Sequence, residues 1–102
     1  MKTYEGGRGL AGAQVSVNGA PLDPRFDVKV FSRAGFEWTY EGDGPRQLAL
    51  AILCDHLGDD KRALRLTEAF MREIIADLDN GWELTSAEID EVLARIDAGA
   101  TR

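Results

Sequence analysis

The chain is poor in the residues that do reactive chemistry. It has one cysteine, Cys54, and one histidine, His56, among 102 residues. One cysteine excludes an intrachain disulfide, and a reducing cytoplasm suits such a chain. The opening, MKTYEGGRG, lacks the apolar core of a signal peptide. No run approaches the ~20 apolar residues that span a bilayer. The expected location is therefore cytoplasmic, with no membrane partner. Bases are also scarce, with twelve Lys and Arg against eighteen Asp and Glu. The resulting net charge of −6 opposes direct binding to nucleic acid, which relies on Lys and Arg neutralising phosphates.

What is present describes an ordinary globular chain. The hydrophobic share of 44% and charged share of 29% suit one soluble domain over residues 1–102. A domain of this size supports one thin core and not two. The charge is uneven. Residues 1–54 carry six acids and six bases, whereas residues 55–102 carry twelve acids and six bases. The entire excess lies in the second half, where it can solvate a face or meet a basic partner.

Residues 1–41 read mainly as strands. Lys2 to Glu5 is extended before Gly6-Gly7. Ala13, Val15 and Val17 alternate with Gln14 and Ser16, and Asn18-Gly19 follows as a hairpin turn. Pro21 and Pro24 exclude a long central strand there. Phe26, Val28 and Val30 alternate again, as do Phe36, Trp38 and Tyr40. The expectation is an antiparallel sheet of three to five short strands before residue 41, with Phe36, Trp38 and Tyr40 on its core face.

Residues 45–97 read as three helices. Pro45 suits a first helical position. The run from Leu48 to Cys54 is apolar almost all round, which predicts a helix buried on several sides. Gly58 can cap its end and Asp59 can cap the next helix, expected to run to Leu78 along Ala63, Leu66, Phe70 and Ile74. Trp82-Glu83-Leu84 reads as an extended link. Thr85 and Glu88 form a capping box for a third helix with Ile89, Val92, Leu93 and Ile96 on one side. Residues 98–102 read as a frayed tail. Strands first and helices second make the fold class α+β.

Several groups could carry chemistry. Asp55, His56, Asp59 and Asp60 cluster near a helix–helix turn and offer metal ligands, but their spacing fits no EF-hand and no His-x-x-x-His pair. Cys54 lies in the apolar run and reads as a core residue. Glu37 should face away from Phe36 and Trp38, as an ordinary solvent-facing carboxylate or a general acid–base. The loop from Gly42 to Arg46 could cradle a phosphate at a helix start. It lacks the Gly-Lys-Ser/Thr ending of a P-loop, and Glu41 and Asp43 would repel an anion. Phe31, Phe36, Trp38 and Tyr40 could stack bases, but Glu37, Glu41 and Asp43 stand among them. Trp82 could staple the third helix or anchor a partner. No cofactor is expected.

The run Gly35-Phe36-Glu37-Trp38-x-Tyr40-x-Gly42-x-Gly44-Pro45-x-Gln47-Leu48-Ala49-Leu50-Ala51, then Asp55-His56-Leu57-Gly58-Asp59-Asp60, resembles a family of small prokaryotic proteins catalogued as a domain of unknown function. Lys2-Thr3-Tyr4-Glu5-Gly6 and Trp82-Glu83-Leu84-Thr85-x-x-Glu88-Ile89 extend the resemblance over nearly the whole chain. It implies a stand-alone domain found in bacteria, haloarchaea and their plasmids and viruses, hence an accessory gene. It brings no catalytic residues.

The favoured expectation is a non-enzymatic, regulatory interaction protein. It would be carried by a mobile element and bind a basic surface on a host protein, such as one of a defence system. The candidate surface is Glu68, Glu73, Asp77, Glu88, Asp90, Glu91 and Trp82. The alternatives are a small metal- or carboxylate-dependent enzyme, and a small-ligand or nucleic-acid binder using the loop from Gly42 to Arg46. A homo-oligomer is compatible with all three.

Overall fold

The computed structural model describes residues 2–100. A four-stranded antiparallel sheet has the order β3-β2-β1-β4, from β1 (Thr3–Gly9), β2 (Gly12–Val17), β3 (Ala20–Pro21) and β4 (Trp82–Thr85). The helices are α1 (Asp43–Leu57), α2 (Asp60–Glu73) and α3 (Ser86–Ala100), with one 3-10 turn, Ile75–Asp77, after α2. The fold is α+β.

Alternation sets the sheet's two faces. Tyr4 pairs with Val17 on one side and Leu84 on the other, and Gly6 pairs with Val15 and Trp82. Tyr4, Val15, Trp82 and Leu84 are buried, while Glu5, Gln14 and Glu83 are exposed on the opposite face. Asn18 (φ 48) and Gly19 (φ 85) make the left-handed turn that the Asn-Gly pair demands. β3 is short and ends in a proline, which suits an edge.

The sheet differs from expectation in two places. Its fourth strand comes from Trp82–Thr85, read from sequence as a link. It inserts the chain after α2 back beside β1. Residues 22–42 hold no strand. Positive φ at Arg25 (59), Gly35 (100) and Thr39 (81) interrupts the extended backbone there. The break at Thr39 destroys the alternation of Phe36, Trp38 and Tyr40. Trp38 is fully buried, Phe36 is half-buried, and Tyr40 is 50% exposed.

α1 is the centre. Leu48 through Leu53 are fully buried, as the all-apolar run predicts. The helix packs along α2 and reaches the sheet through Tyr4, whose hydroxyl donates to Asp55 at 2.6 Å. It starts two residues before Pro45, still within the first turn, where no intrahelical N–H bond is lost. Gly58 (φ 66) returns its N–H to Cys54, and Asp59 caps α2 through the N–H of Arg62. α2 ends at Glu73, and the 3-10 turn replaces its expected last turn. The capping box is present: Thr85 N–H donates to Glu88 Oε1 at 3.0 Å, and Glu88 N–H donates to Thr85 Oγ1 at 3.2 Å. α3 then reaches Ala100, past the expected boundary at residue 97. Of the tail expected to fray, residues 101–102 lie outside the described residues. Among the described residues no helix is long and apolar enough to cross a membrane.

Candidate functional site

The stretch from Gly35 to Asp60 organises the fold. A Cβ at Gly42 would lie 2.7 Å from the Tyr40 ring, and one at Gly44 would lie 2.7 Å from Glu37 Cβ. Both glycines allow the loop to press on the helix start. Arg8 ties this stretch to the sheet. Its guanidinium donates to Glu37, to the Trp38 carbonyl at 3.2 Å and to Asn80 Oδ1 at 3.3 Å. It also lies 4.4 Å over the Trp38 ring, a cation–π contact. Trp38 in turn meets Trp82 edge-on at 5.8 Å. The Trp82 ring fills the space beside Gly6, where a Cβ would lie 2.3 Å from it. Trp82 is buried and belongs to the core. Glu37 is half-buried against Arg8.

The helix–helix turn disperses its candidate ligands. Asp55 accepts from Tyr4 and from Lys2 Nζ at 3.0 Å. Burial pushes its carboxyl up, but the bonds from Tyr4 and Lys2 outweigh burial and hold it below the usual range. His56 Nε2 meets Asp90 Oδ1 on α3 at 2.6 Å. Asp59 is the α2 cap, and Asp60 takes the Arg25 guanidinium at 2.9 Å. Among the described residues no three His, Cys, Asp or Glu side chains gather as a metal site. Cys54 is buried, and desolvation raises its thiol to about 11.

The loop from Gly42 to Arg46 turns its base inward. Arg46 donates to Glu68 at 2.7 Å and to Asp43 at 3.0 Å. The bond from Arg46 lowers the Glu68 carboxyl against a smaller opposing effect of burial. Arg25 pairs with both Asp27 and Asp60. Of the N-terminal bases, Arg8, Arg25 and Arg46 are thus engaged by carboxylates, and Lys29 lies 5.0 Å over the Phe31 ring. Arg33 is exposed.

The acids of the expected interaction surface divide into two sets. Glu68 is bound by Arg46 and Arg72, Asp90 by His56, and Glu88 by the α3 cap. Glu73, Asp77 and Glu91 are exposed, and their carboxylates have no ion-pair or hydrogen-bond partner among the described residues. Asp79, Glu83 and Glu5 share that condition and were missed from sequence. A readable signal existed for the first two. No Lys or Arg stands between Arg72 and Arg95, while seven acids do: Glu73, Asp77, Asp79, Glu83, Glu88, Asp90 and Glu91. Glu5 has no such local signal. It joins the others only because β4 pairs beside β1 and sets Glu83 opposite it.

Comparison with known proteins adds a family and no activity. Residues 4–95 match the model of a family of unknown function, DUF6166, and the chain belongs to that family. No curated protein and no solved structure matches it.

Proposed function

We propose that this protein is a non-enzymatic binding module that docks on a basic surface of a protein partner through the acids between Glu73 and Glu91. One observation carries the reading. Eight acids elsewhere in the chain are ion-paired with Lys or Arg, namely Asp27, Glu37, Glu41, Asp43, Asp55, Asp60, Glu68 and Asp97. Among the described residues, none of the seven acids from Glu73 to Glu91 is. Charges left unneutralised on an exposed stretch steer a basic partner and exclude an acidic one. A nucleic-acid-binding protein, including one of a host defence system, offers such a basic surface.

The test compares the wild-type chain with the variant Glu73→Lys/Asp77→Lys/Glu91→Lys as baits in the same host lysate. The expected result is a protein retained by the wild type at low salt, released as salt rises, and not retained by the variant. A specific partner held equally by both baits overturns the reading.

A further inference from the structure

We infer that the surface where the loop of residues 25–30 meets α2 is a docking patch for an acidic protein segment with bulky apolar side chains. It is separate from the acids of the reading above, since Glu73 ends α2 and the patch lies along the first half of that helix.

The first observation is where exposed apolar side chains fall. The large hydrophobic residues exposed among those described are Leu10, Phe26, Val30, Tyr40 and Leu64. Scattered singly, such residues are ordinary. Phe26, Val30 and Leu64 are not scattered. Asp60, Leu64 and Glu68 stand four residues apart and form one edge of α2. Arg25 of the loop holds Asp60 at 2.9 Å, and Arg46 of α1 holds Glu68 at 2.7 Å. Gln47, the next residue of α1, accepts from the N–H of Phe31. The loop therefore enters beside Asp60 and leaves near the tie to Glu68, running along the edge on which Leu64 is the middle residue. Val28 and Phe31 pack on the core, which leaves Phe26 and Val30 on the outside with Leu64.

The second observation is that this surface is fixed. The Gln47 side chain binds the backbone of Pro24, Lys29, Phe31 and Ser32. A loop already ordered adds little cost when a partner binds.

The third observation is charge. Lys61 and Arg65 form the row of α2 next to Leu64 on its solvent side, and Lys29 lies in the loop beside Val30. All three are exposed and have no carboxylate partner among the described residues. The nearby acids are already taken, Asp27 and Asp60 by Arg25 and Glu68 by Arg46 and Arg72. A chain of net charge −6 thus keeps unneutralised bases around an apolar centre. Carboxylates on a partner complement that rim, and its apolar side chains cover Phe26, Val30 and Leu64. A nucleic acid would bring phosphates beside Asp27 and Asp60 and no aliphatic group to Val30 and Leu64.

The test titrates the full-length, ¹⁵N-labelled chain at low ionic strength with a capped peptide that has leucine at every third or fourth position and glutamate between. Amide shifts are expected to centre on residues 25–30 and on Lys61, Leu64 and Arg65. Lys61→Glu/Arg65→Glu should bind at least about tenfold more weakly, with a flatter salt dependence. Exposed charges contribute little to stability, so that variant should keep its fold. Should it fail to fold, Lys61→Gln/Arg65→Gln should give the same direction of change. Leu64→Gln should weaken binding about tenfold and leave the salt dependence as it was, as expected when a leucine loses its cover. No peptide binding by the wild type, shifts centred elsewhere, or a Leu64→Gln variant that binds like the wild type overturns the inference. Tighter binding of oligothymidylate at the same residues would assign the patch to nucleic acid and overturn it. Self-association that Lys61→Glu/Arg65→Glu abolishes would assign the patch to the acids of a second copy and overturn it as well.

Discussion

Gln47 Oε1 accepts a hydrogen bond from the backbone N–H of Phe31 at 2.7 Å, deep inside the protein. The same oxygen accepts from Ser32 N–H at 3.1 Å, and Nε2 donates to the carbonyls of Pro24 at 2.7 Å and Lys29 at 3.1 Å. A primary amide offers two donors and two acceptor sites, and all are used. One side chain on α1 thereby fastens a loop that has no strand to hold it. Gln47→Glu keeps the shape but removes both donors and buries a charge. It should lose about 3 kcal/mol or more of stability. Urea unfolding measures the loss, and hydrogen exchange should rise first in residues 24–32. A loss under about 1 kcal/mol would mean that the loop holds without this amide.

Tyr4 and Asp55 give a pH-dependent test. The Tyr4 hydroxyl and Lys2 hold the folded Asp55 carboxyl below its unfolded value, although burial alone would raise it. A depressed folded pKa contributes stability that is complete above the unfolded value near ~4 and is lost as pH falls through the folded value. Tyr4→Phe should cost about 1–3 kcal/mol at pH 7, typical of a hydrogen bond to a charged group. The gap should begin to narrow below about pH 4 and close as pH falls through the folded Asp55 value. Denaturant melts across pH measure the gap. A gap that stays constant down to pH 2 would place the cost in packing and not in the carboxylate.

Cys54 should be silent until the protein opens. Burial, aided by the Asp60 carboxylate, raises its thiol to about 11. At pH 8 only roughly 0.1% of such a thiol is thiolate, the form that attacks a disulfide reagent. Labelling by a chromogenic disulfide should follow the global unfolding rate in native buffer and become fast in denaturing urea. Stoichiometric labelling within seconds in native buffer would instead point to a reactive thiol.

The helical half was legible because its signals are local. The apolar run of α1, the caps at Gly58 and Asp59 and the Thr85–Glu88 box each depend on residues within a few positions of one another. Residues 22–42 were not legible, because alternation in Phe26, Val28, Val30 and in Phe36, Trp38, Tyr40 has the period of a strand. What overrides it is remote. Gln47 supplies the hydrogen bonds a sheet would have supplied, and Arg8 draws Glu37 and Trp38 to the hairpin. β4 was hidden for a related reason. Four residues are a weak pattern, and only pairing with Thr3 to Gly6 makes them a strand. The pairing of the surface acids was only partly legible. Composition marks the acids of that expected surface, but nothing local distinguishes Glu68, held by two arginines, from Glu73, whose carboxylate has no partner among the described residues.

The outer sheet face yields the last prediction, which needs no partner. Glu5 and Glu83 oppose each other across β1 and β4 on an exposed surface. Replacing one by lysine turns a repulsive cross-strand pair into an attractive one. Glu83→Lys should therefore stabilise the protein by a few tenths of a kcal/mol, up to about 1 kcal/mol. The gain should shrink at 1 M salt, where the screening length falls to ~3 Å. The reciprocal Glu5→Lys should behave alike, and the double variant should return close to wild type, since two lysines restore the repulsion. That non-additivity is the signature of a pairwise interaction and is read directly from a double-mutant cycle of melting curves. If both single variants are neutral and the cycle shows no coupling, the two carboxylates do not sense each other across the strands.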